Sequence, residues 1–338
     1  MKPRVLFMLL GLSVLAAASV ALRLSIGPSL GSFDDHIRAQ MLELRLVRVA
    51  AGAVVGICLA IAGVMMQSLM RNPLASPDIM GMSAGAGLAV MITRLLGGVA
   101  IANSPSWLGS AAWETGPALA GSLGALAIVY FLSQRRGLVS PVSLVLIGVM
   151  VSVLCGAGIM LVQHLMPGGA MGSTRMLAGA ISDETSRAGV LIAACVALGG
   201  LTLGLVLATA MDASSLGIDE ALSVGVRIGR LRLLLLLAAG TLTATAVVLA
   251  GPLGFVGLVC PHVVRLLAGR ADSGGWWGVH RPRLIGAALA GITLVVGGDA
   301  IVRVLDFGSG RLPLGVVMAF VGAPIFVLLL RRGWAGEP

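Results

Sequence analysis

Ten apolar segments, separated by polar connections, run along nearly the whole chain of 338 residues. Most of them approach the ~20 residues that a helix needs to cross a bilayer, and the eighth is short. Because lipid offers no hydrogen-bond partners to backbone amides, each segment is predicted to form a helix. The segments cover residues 5–22, 47–68, 79–97, 116–132, 142–165, 189–210, 233–250, 253–268, 284–302 and 314–330.

The polar connections between these segments are all too short to form a separate domain. The sequence therefore predicts an all-α fold, a single polytopic membrane domain of ten transmembrane helices over residues 1–338. The strings AIAGVMMQ in the second segment and VLAGPLGF at the end of the seventh are similar. Their similarity suggests an inverted internal repeat, in which the two halves have opposite orientations.

Composition agrees with a chain whose solvent is mostly lipid. Hydrophobic residues make up 58% of the chain, charged residues 11%, and the mean hydropathy is +1.03. Aromatic residues reach only 4% and there are 48 glycines, which is typical of helices that associate through small residues. The net charge of +9 comes from short basic connections without interleaved aromatics, and this argues against nucleic-acid binding.

The basic residues predict the orientation in the membrane. The first segment, behind Lys2 and Arg4, could be a secretory signal, but a retained first span is favoured because a polytopic chain follows. With a cytoplasmic N-terminus, more than half of the 23 Lys and Arg residues fall on the inner side. An even number of spans then places the C-terminus in the cytoplasm as well.

The second segment has two unlike ends. Arg45 and Arg48 lie three residues apart at its outer end, on one helical face, and Gly52 and Gly56 follow at helix-packing spacing. Arg303 lies at the outer end of the ninth segment. Arginines in such positions either extend to the lipid headgroups or form a docking surface for an acidic partner, and both interpretations stay open on the residues alone.

The inner end of this segment is a proline-locked turn, RNPLASPD, over residues 71–78. Pro73 and Pro77 disfavour helical geometry in the residues before them, so the helix is predicted to end and a stiff turn to begin. Asp78 occupies the position of a helix N-cap. Gly81 and Gly85 then give the next helix a face of small residues.

The inner connection over residues 211–232 is predicted to contain a short helix on the cytoplasmic face. Leu216 and Gly217 break the preceding helix, Asp219 and Glu220 place acids near a new N-terminus, and Gly225 ends it. Such a helix either packs on the membrane surface or contacts a soluble subunit.

Candidate chemistry within the spans is sparse. Cys58, Cys155, Cys195 and Cys260 each fall inside an apolar segment and are interpreted as small buried hydrophobic residues. Cys260 and His262 are close in sequence, but without a second pair we predict no metal site. The chain has no GxxxxGK[ST] loop, so we expect it to bind no ATP and no cofactor of its own and to be no enzyme.

At the level of whole motifs, the chain resembles the permease subunits of ABC importers for iron siderophores, haem and vitamin B12. The resemblance is carried by RLVR with AIAGVMMQSLMRNPLASPDIMGMSAGAG, by LGIDEALSVGV, by AGPLGFVGLVCPHVVRLLAG, and by GGDAIVRV with RLPLGVVMAFVGAPIFVLLLRR. It implies a ten-span subunit of the cytoplasmic membrane that pairs with a second permease, usually identical. Two cytoplasmic ATPase subunits and an outer substrate-binding protein complete the importer.

The resemblance also implies roles for individual residues. Arg45, Arg48 and Arg303 match arginines that receive acidic residues of the binding protein. The cytoplasmic gate would be formed by Asn72, Leu74, Ser140, Pro141 and Val142. The helix that couples to the ATPase would be formed by Leu216, Gly217, Asp219, Glu220, Ala221, Leu222 and Gly225.

The chain departs from the family pattern at two places. Leu222 stands where many relatives carry a basic residue, and Arg175 lies near a position that is often Trp. The cargo is not fixed by these motifs, so a siderophore is expected first, with haem or cobalamin as alternatives. A secondary transporter or channel is the remaining alternative, but it predicts buried ion-coupling groups, and Asp299 is the only acid placed in a span.

Overall fold

The computed structural model describes residues 3–27, 34–102, 109–135, 138–139, 141–166, 179–181, 185–268, 280–305 and 312–334. Within them the chain forms eleven helices and one short strand pair. The helices are α1 (Pro3–Ser25), α2 (Asp35–Met70), α3 (Met82–Ala102), α4 (Gly109–Leu132), α5 (Pro141–Leu165), α6 (Arg187–Leu216), α7 (Ile218–Ser223), α8 (Ile228–Ala250), α9 (Val256–Ala268), α10 (His280–Val304) and α11 (Leu314–Trp334). Strands β1 (Gln134–Arg135) and β2 (Leu138–Val139) pair antiparallel between α4 and α5.

The all-α prediction is confirmed, because each of the ten apolar segments coincides with one of the long helices and α7 is the additional short one. Among the described residues, seven helices are long and apolar enough to cross a membrane. The described apolar parts of α3, α9 and α11 are shorter. These three helices match the third, eighth and tenth predicted segments, and the eighth was expected to be short.

The centre of the bundle is formed by α2, α8 and α10. Most side chains in the apolar stretches of these helices are buried, whereas about a quarter are buried in those of α1, α4, α5 and α6. Helix α2 is the common element, since it packs against α10, α8, α6 and α9. The connection after α2 is therefore attached to the most buried part of the molecule. The connection after α6 is attached to its periphery.

Glycines bring the central helices into backbone contact. A Cβ added at Gly56 of α2 would lie 2.2 Å from the carbonyl oxygen of Gly291 in α10, and a Cβ at Gly291 would lie 2.2 Å from that of Gly56. Gly63 meets Gly257 of α9 equally closely. Helices that approach in this way gain van der Waals contact along their backbones, which is the main attraction available in lipid.

The packing of the two halves is alike. Helix α10 packs on α2 through Gly56, and α4 packs on α8 at Gly240, whose carbonyl oxygen accepts a hydrogen bond from Ser122 Oγ at 3.1 Å. Helices α2 and α8 match the second and seventh predicted segments. The inverted orientation of the two halves stays a prediction.

Candidate functional sites at the two ends of α2

At the end of the bundle that is predicted to face outward, one buried carboxylate joins three helices. This end is called the outer end and the opposite one the inner end, following the predicted orientation. Arg23 Nε at the end of α1 donates to Asp299 Oδ2 of α10 at 2.5 Å. Arg48 of α2 donates through Nη2 to Oδ1 at 2.9 Å and through Nε to both carboxylate oxygens at 3.2 Å. The side chains of Arg23, Asp299 and Arg48 are 1%, 3% and 12% exposed. The sequence placed Asp299 in a span but did not identify either partner.

The other two arginines of the predicted docking surface lie at the same end. Arg45 is buried, with Nη1 donating to the Leu24 carbonyl oxygen at 3.3 Å, and its guanidinium fills the space beside Gly27. Arg303 is half-buried one helical turn beyond Asp299. In this conformation Arg45 and Arg48 are directed into the protein, and their role in docking stays a prediction.

The inner end of α2 is the turn that the two prolines predict. The helix ends at Met70, and Arg71 adopts a left-handed conformation with φ of 48°. The Arg71 N–H donates to the Ser68 carbonyl oxygen, and the Asn72 N–H donates to that of Gln67. Asn72 Oδ1 accepts a hydrogen bond from the Leu74 N–H at 2.9 Å. The predicted gate residue Asn72 therefore shapes the turn with its own side chain, and Leu74 is half-buried beside it.

The second half of this turn is buried against α5. Asp78 Oδ1 accepts a hydrogen bond from the Ser83 hydroxyl, and the Asp78 backbone oxygen accepts one from Ser152 Oγ of α5 at 3.2 Å. Gly148 of α5 allows close contact, because a Cβ there would lie 2.5 Å from the Ile79 carbonyl oxygen. Burial raises the pKa of the Asp78 carboxyl to about 6.

The predicted packing glycines around this turn have different neighbours. Gly81 has φ of +76° in the turn before α3 and faces Val151 of α5. Gly85 meets the backbone of Gly121 in α4. On α2, a Cβ at Gly52 would lie 3.0 Å from the Ile181 side chain.

The remaining predicted gate residues begin α5. Pro141 is its first residue and Val142 lies in its first turn. Ser140, like Arg175 of the outer connection, lies outside the described residues.

Arg265 of α9 is a contact of the turn that the sequence did not reveal. Its Nη2 lies 3.2 Å from Gln67 Oε1 and 3.5 Å from the Pro73 carbonyl oxygen, and it also lies 3.0 Å from His262 Nδ1. His262 thus faces an arginine rather than a metal ligand. Within the described residues no group of three His, Cys, Asp or Glu side chains could hold a metal ion.

The sequence suggested that all four cysteines are buried, and the structure shows that they are not. Cys58 and Cys260 are buried and Cys155 is half-buried, but Cys195 is exposed on α6. The prediction for Cys195 is wrong because an apolar helix in lipid has an apolar outer face too, and a small thiol is accommodated there as well as in the core.

The predicted coupling segment forms the short helix α7 between α6 and α8. Asp219 and Glu220 lie in its first turn, and Ala221 is fully buried. Leu222 and Val224 are 55% and 68% exposed, and Gly225 has φ of +81°. Helix α7 is therefore attached to the bundle through Ala221, while the large apolar side chains of Leu222 and of the C-cap residue Val224 are exposed.

A partly buried pair of hydrogen-bonded side chains lies close to this segment. Asp212, one turn before the end of α6, accepts hydrogen bonds from the backbone N–H and from Nδ1 of His280 at 2.8 and 2.5 Å. His280 is the first residue of α10 and is 2% exposed. The inner end of α10 is thus attached beside the coupling segment, and its outer end carries Asp299.

Comparison with known proteins places these features in one family. The FecCD transport family model matches residues 5–332. The hemin transport system permease of Yersinia pestis is 33% identical over 337 residues, 98% of this chain and 96% of that protein. The ferric enterobactin transport system permease of Escherichia coli K12 is 36% identical over 297 residues, 88% and 83% of the two chains. A metal-chelate type ABC transporter solved in an inward-facing conformation matches with a TM-score of 0.78 and 26% identity, over 97% and 99% of the two chains.

Proposed function

The chain belongs to the FecCD transport family, and from this membership we propose that it is the permease of an ATP-driven importer that carries iron chelates, ferric siderophores first. The relatives support this cargo class, because one is named for ferric enterobactin and another for hemin. Haem and cobalamin are the alternatives within the family. The chain itself is a multi-pass membrane protein, and we place it in the inner membrane of a bacterium with both termini in the cytoplasm.

The observation that carries the proposal is the exposed face of α7. Leu222 and Val224 extend from a short helix at the inner end of the bundle, and exposed apolar side chains in an aqueous region favour contact with another protein. The chain has no phosphate-binding loop of its own. We therefore assign ATP hydrolysis to two separate cytoplasmic subunits that dock on residues 216–225.

Transport then requires that the ATPase subunits move α6 and α8 through α7. Because α8 and α6 both pack on α2, a displacement of α7 reaches the turn that holds Asn72 and Leu74. We propose that this turn, with the residues that begin α5, closes the path on the inner side. A second permease subunit, usually an identical one, would supply the opposite wall.

The outer end is proposed to receive the substrate-binding protein. Arg45, Arg48 and Arg303 all lie at this end of the bundle, and acidic side chains of a partner would complement them. A docked partner shifts the permease between states only if it binds one state more tightly. The difference in the partner's affinity for the two states must therefore come from contacts that change between the two conformations.

The test of the cargo is uptake into proteoliposomes that contain the permease with its ATPase and an excess of its binding protein. Radioactive ferric siderophore, haemin and cobalamin are supplied separately, each with ATP inside or ATP replaced by ADP. We expect ATP-dependent uptake of the ferric siderophore. Uptake of only haemin or only cobalamin would show that this compound, and not a ferric siderophore, is the cargo. Equal uptake with ATP and with ADP would contradict an ATP-driven importer.

A further inference from the structure

We propose that the inner end of the bundle holds a binding site for the phosphate group of an anionic phospholipid, between α2, α6 and α8. The site is a partly open hollow of about 280 Å³, lined by Ser68 and Arg71 at the end of α2 and by Arg232 near the start of α8. None of these three residues is among the predicted gate or coupling residues. The site goes beyond the proposed function, because its ligand is neither the cargo nor a protein subunit.

The first argument is a pair of positive charges without counter-ions. Arg71 is exposed and Arg232 is half-buried, and they line the hollow from two different helices. Within the described part of the chain, neither guanidinium has a carboxylate or another hydrogen-bond partner. Arginine stays protonated, and its fork of N–H groups matches the oxygens of a phosphate. An anion in the hollow would therefore supply a counter-charge that the described residues do not provide.

The second argument is the presence of uncharged donors around the same hollow. The Ser68 hydroxyl is buried and has no hydrogen-bond partner among the described residues. Helix α8 begins at the hollow with Ile228, and the side chain of its N-cap residue Arg227 accepts no hydrogen bond from the first turn. A buried hydroxyl without a partner is unfavourable, and a helix N-terminus favours an anion. A phosphate group would satisfy both features, whereas an apolar occupant would satisfy neither.

The third argument is the depth of the hollow in the membrane. Arg71 lies three positions after the predicted second segment, residues 47–68, and Arg232 directly precedes the seventh, residues 233–250. Both arginines are therefore expected at the boundary between the lipid tails and the headgroups. This is the level at which the phosphates of a bilayer lie, and basic pockets between helices at this level are known to bind anionic headgroups.

The surface next to the hollow favours a lipid over an acidic side chain of an ATPase subunit. After Arg232, helix α8 continues into the predicted span with three exposed leucines, Leu233, Leu234 and Leu237. Apart from arginine and serine, the walls of the hollow are leucine and isoleucine side chains. Acyl chains attached to the phosphate would cover this apolar surface, whereas a carboxylate from an aqueous subunit would leave it exposed. The observations thus favour one ligand that carries both a phosphate and apolar chains.

Arginines at a membrane boundary also extend singly to the headgroups, without a fixed site. That alternative and the proposed site differ in what they predict for Arg230. This residue is exposed, lies about 200° around α8 from Arg232, and does not line the hollow. General attraction predicts that loss of Arg230 and loss of Arg232 weaken lipid binding equally. A fixed site predicts that only the loss of Arg232 weakens it.

The experiment titrates the delipidated complex of permease and ATPase subunits in detergent with dioleoyl-phosphatidylglycerol, and native mass spectrometry counts the bound lipids. We expect one tightly bound lipid per permease subunit. Arg71→Gln and Arg232→Gln should each weaken it by about fivefold, the usual contribution of one basic residue at a membrane surface. Arg230→Gln is the matched control, since it removes the same charge from the same helix, and it should stay within about twofold of the wild type.

Ser68→Ala separates a role in binding from a role in folding. It should weaken the tight lipid several-fold, and it should leave the Tm in lipid-free detergent unchanged because it removes a hydroxyl that has no partner. A lower Tm with unchanged lipid binding would contradict the site. The binding measurement needs neither cargo nor ATP, so its outcome is independent of the transport activity.

Two further ligands separate the possible sources of the phosphate. Phosphatidylcholine carries the same phosphate and chains with an added positive charge, and we expect it to bind more weakly than phosphatidylglycerol. An excess of inorganic phosphate should not displace the lipid, and displacement would assign the hollow to a free anion and overturn the proposal. Equal losses for Arg230→Gln and Arg232→Gln would overturn a fixed site. Loss of an ATPase subunit from the Arg232→Gln complex would assign this arginine to a protein interface and also overturn the proposal.

Discussion

The contact between Gly56 and Gly291 offers a strict test of how the central helices are held together. Replacement of Gly56 by Ala adds one methyl group, and its carbon would lie 2.2 Å from the Gly291 carbonyl oxygen. Real contacts of this kind are not shorter than 3.0 Å, so α2 and α10 must separate locally by about 1 Å. Both atoms of the clash belong to backbone, and no side chain can move aside.

The cost of this separation can be bounded from related cases. An added methylene in a tightly packed core costs about 1–3 kcal/mol, and alanine recovers up to about 1 kcal/mol through its higher helix propensity. We therefore expect a net loss of about 1–2 kcal/mol, which in a bundle of this size lowers the Tm by a few degrees. Because α10 carries Asp299, the same variant should also disturb the outer cluster.

The assay is thermal unfolding of the purified permease in detergent, followed by tryptophan fluorescence, with Gly124→Ala as the matched control. Gly124 lies within α4, and a Cβ added there has no atom within 4 Å. The control gains helix propensity without a clash and should be at least as stable as wild type. Equal Tm values for the two variants would refute the close approach of α2 and α10.

Three further outcomes are expected. Leu222→Asp on the exposed face of α7 should lower uptake per ATP hydrolysed by at least about tenfold, measured in proteoliposomes, and unchanged coupling would remove the assignment of α7. Cysteines at Asn72 should crosslink between protomers in one nucleotide state only, and equal crosslinking in every state would argue against a gate. Asp78 has a raised pKa, so its contribution to stability is complete below the usual value of 3.8 and is lost as the pH rises through about 6. Wild-type stability should therefore fall by about 2 kcal/mol between pH 4 and pH 7, and Asp78→Asn should abolish this fall in a series of Tm measurements. An unchanged pH profile of the variant would contradict the burial of Asp78.

The sequence predicted the helices well because the length of an apolar segment is a local property. The turn after α2 was found for a similar reason, since Pro73 and Pro77 act on the residues directly before them. The sequence could not rank the helices by position. Helix α5 is as apolar as α2, yet 22% of the residues in its most apolar stretch are buried, compared with 83% in that of α2. Lipid and protein interior are equally apolar, so hydrophobicity does not separate them.

What distinguishes the central helices is the partner of each small residue, and that is a tertiary property. Gly56 and Gly124 look alike in sequence, but one meets the backbone of α10 and the other meets nothing within 4 Å. Arg265 was missed for the same reason, because Gln67 and Pro73 lie nearly two hundred residues away in the chain. Spacing along one helix cannot reveal contacts of this range.

The ion pairs of Asp299 could have been found with one more physical step. Its partners Arg23 and Arg48 are 276 and 251 residues away, which places them beyond any local pattern. A carboxylate within a span is nevertheless stable only with a partner at the same depth. The predicted topology already placed the end of the first span, the start of the second and the end of the ninth at the outer side, where Arg23, Arg48 and Asp299 lie. The requirement that a buried charge be paired, applied to that topology, leads to the cluster of Arg23, Arg48 and Asp299.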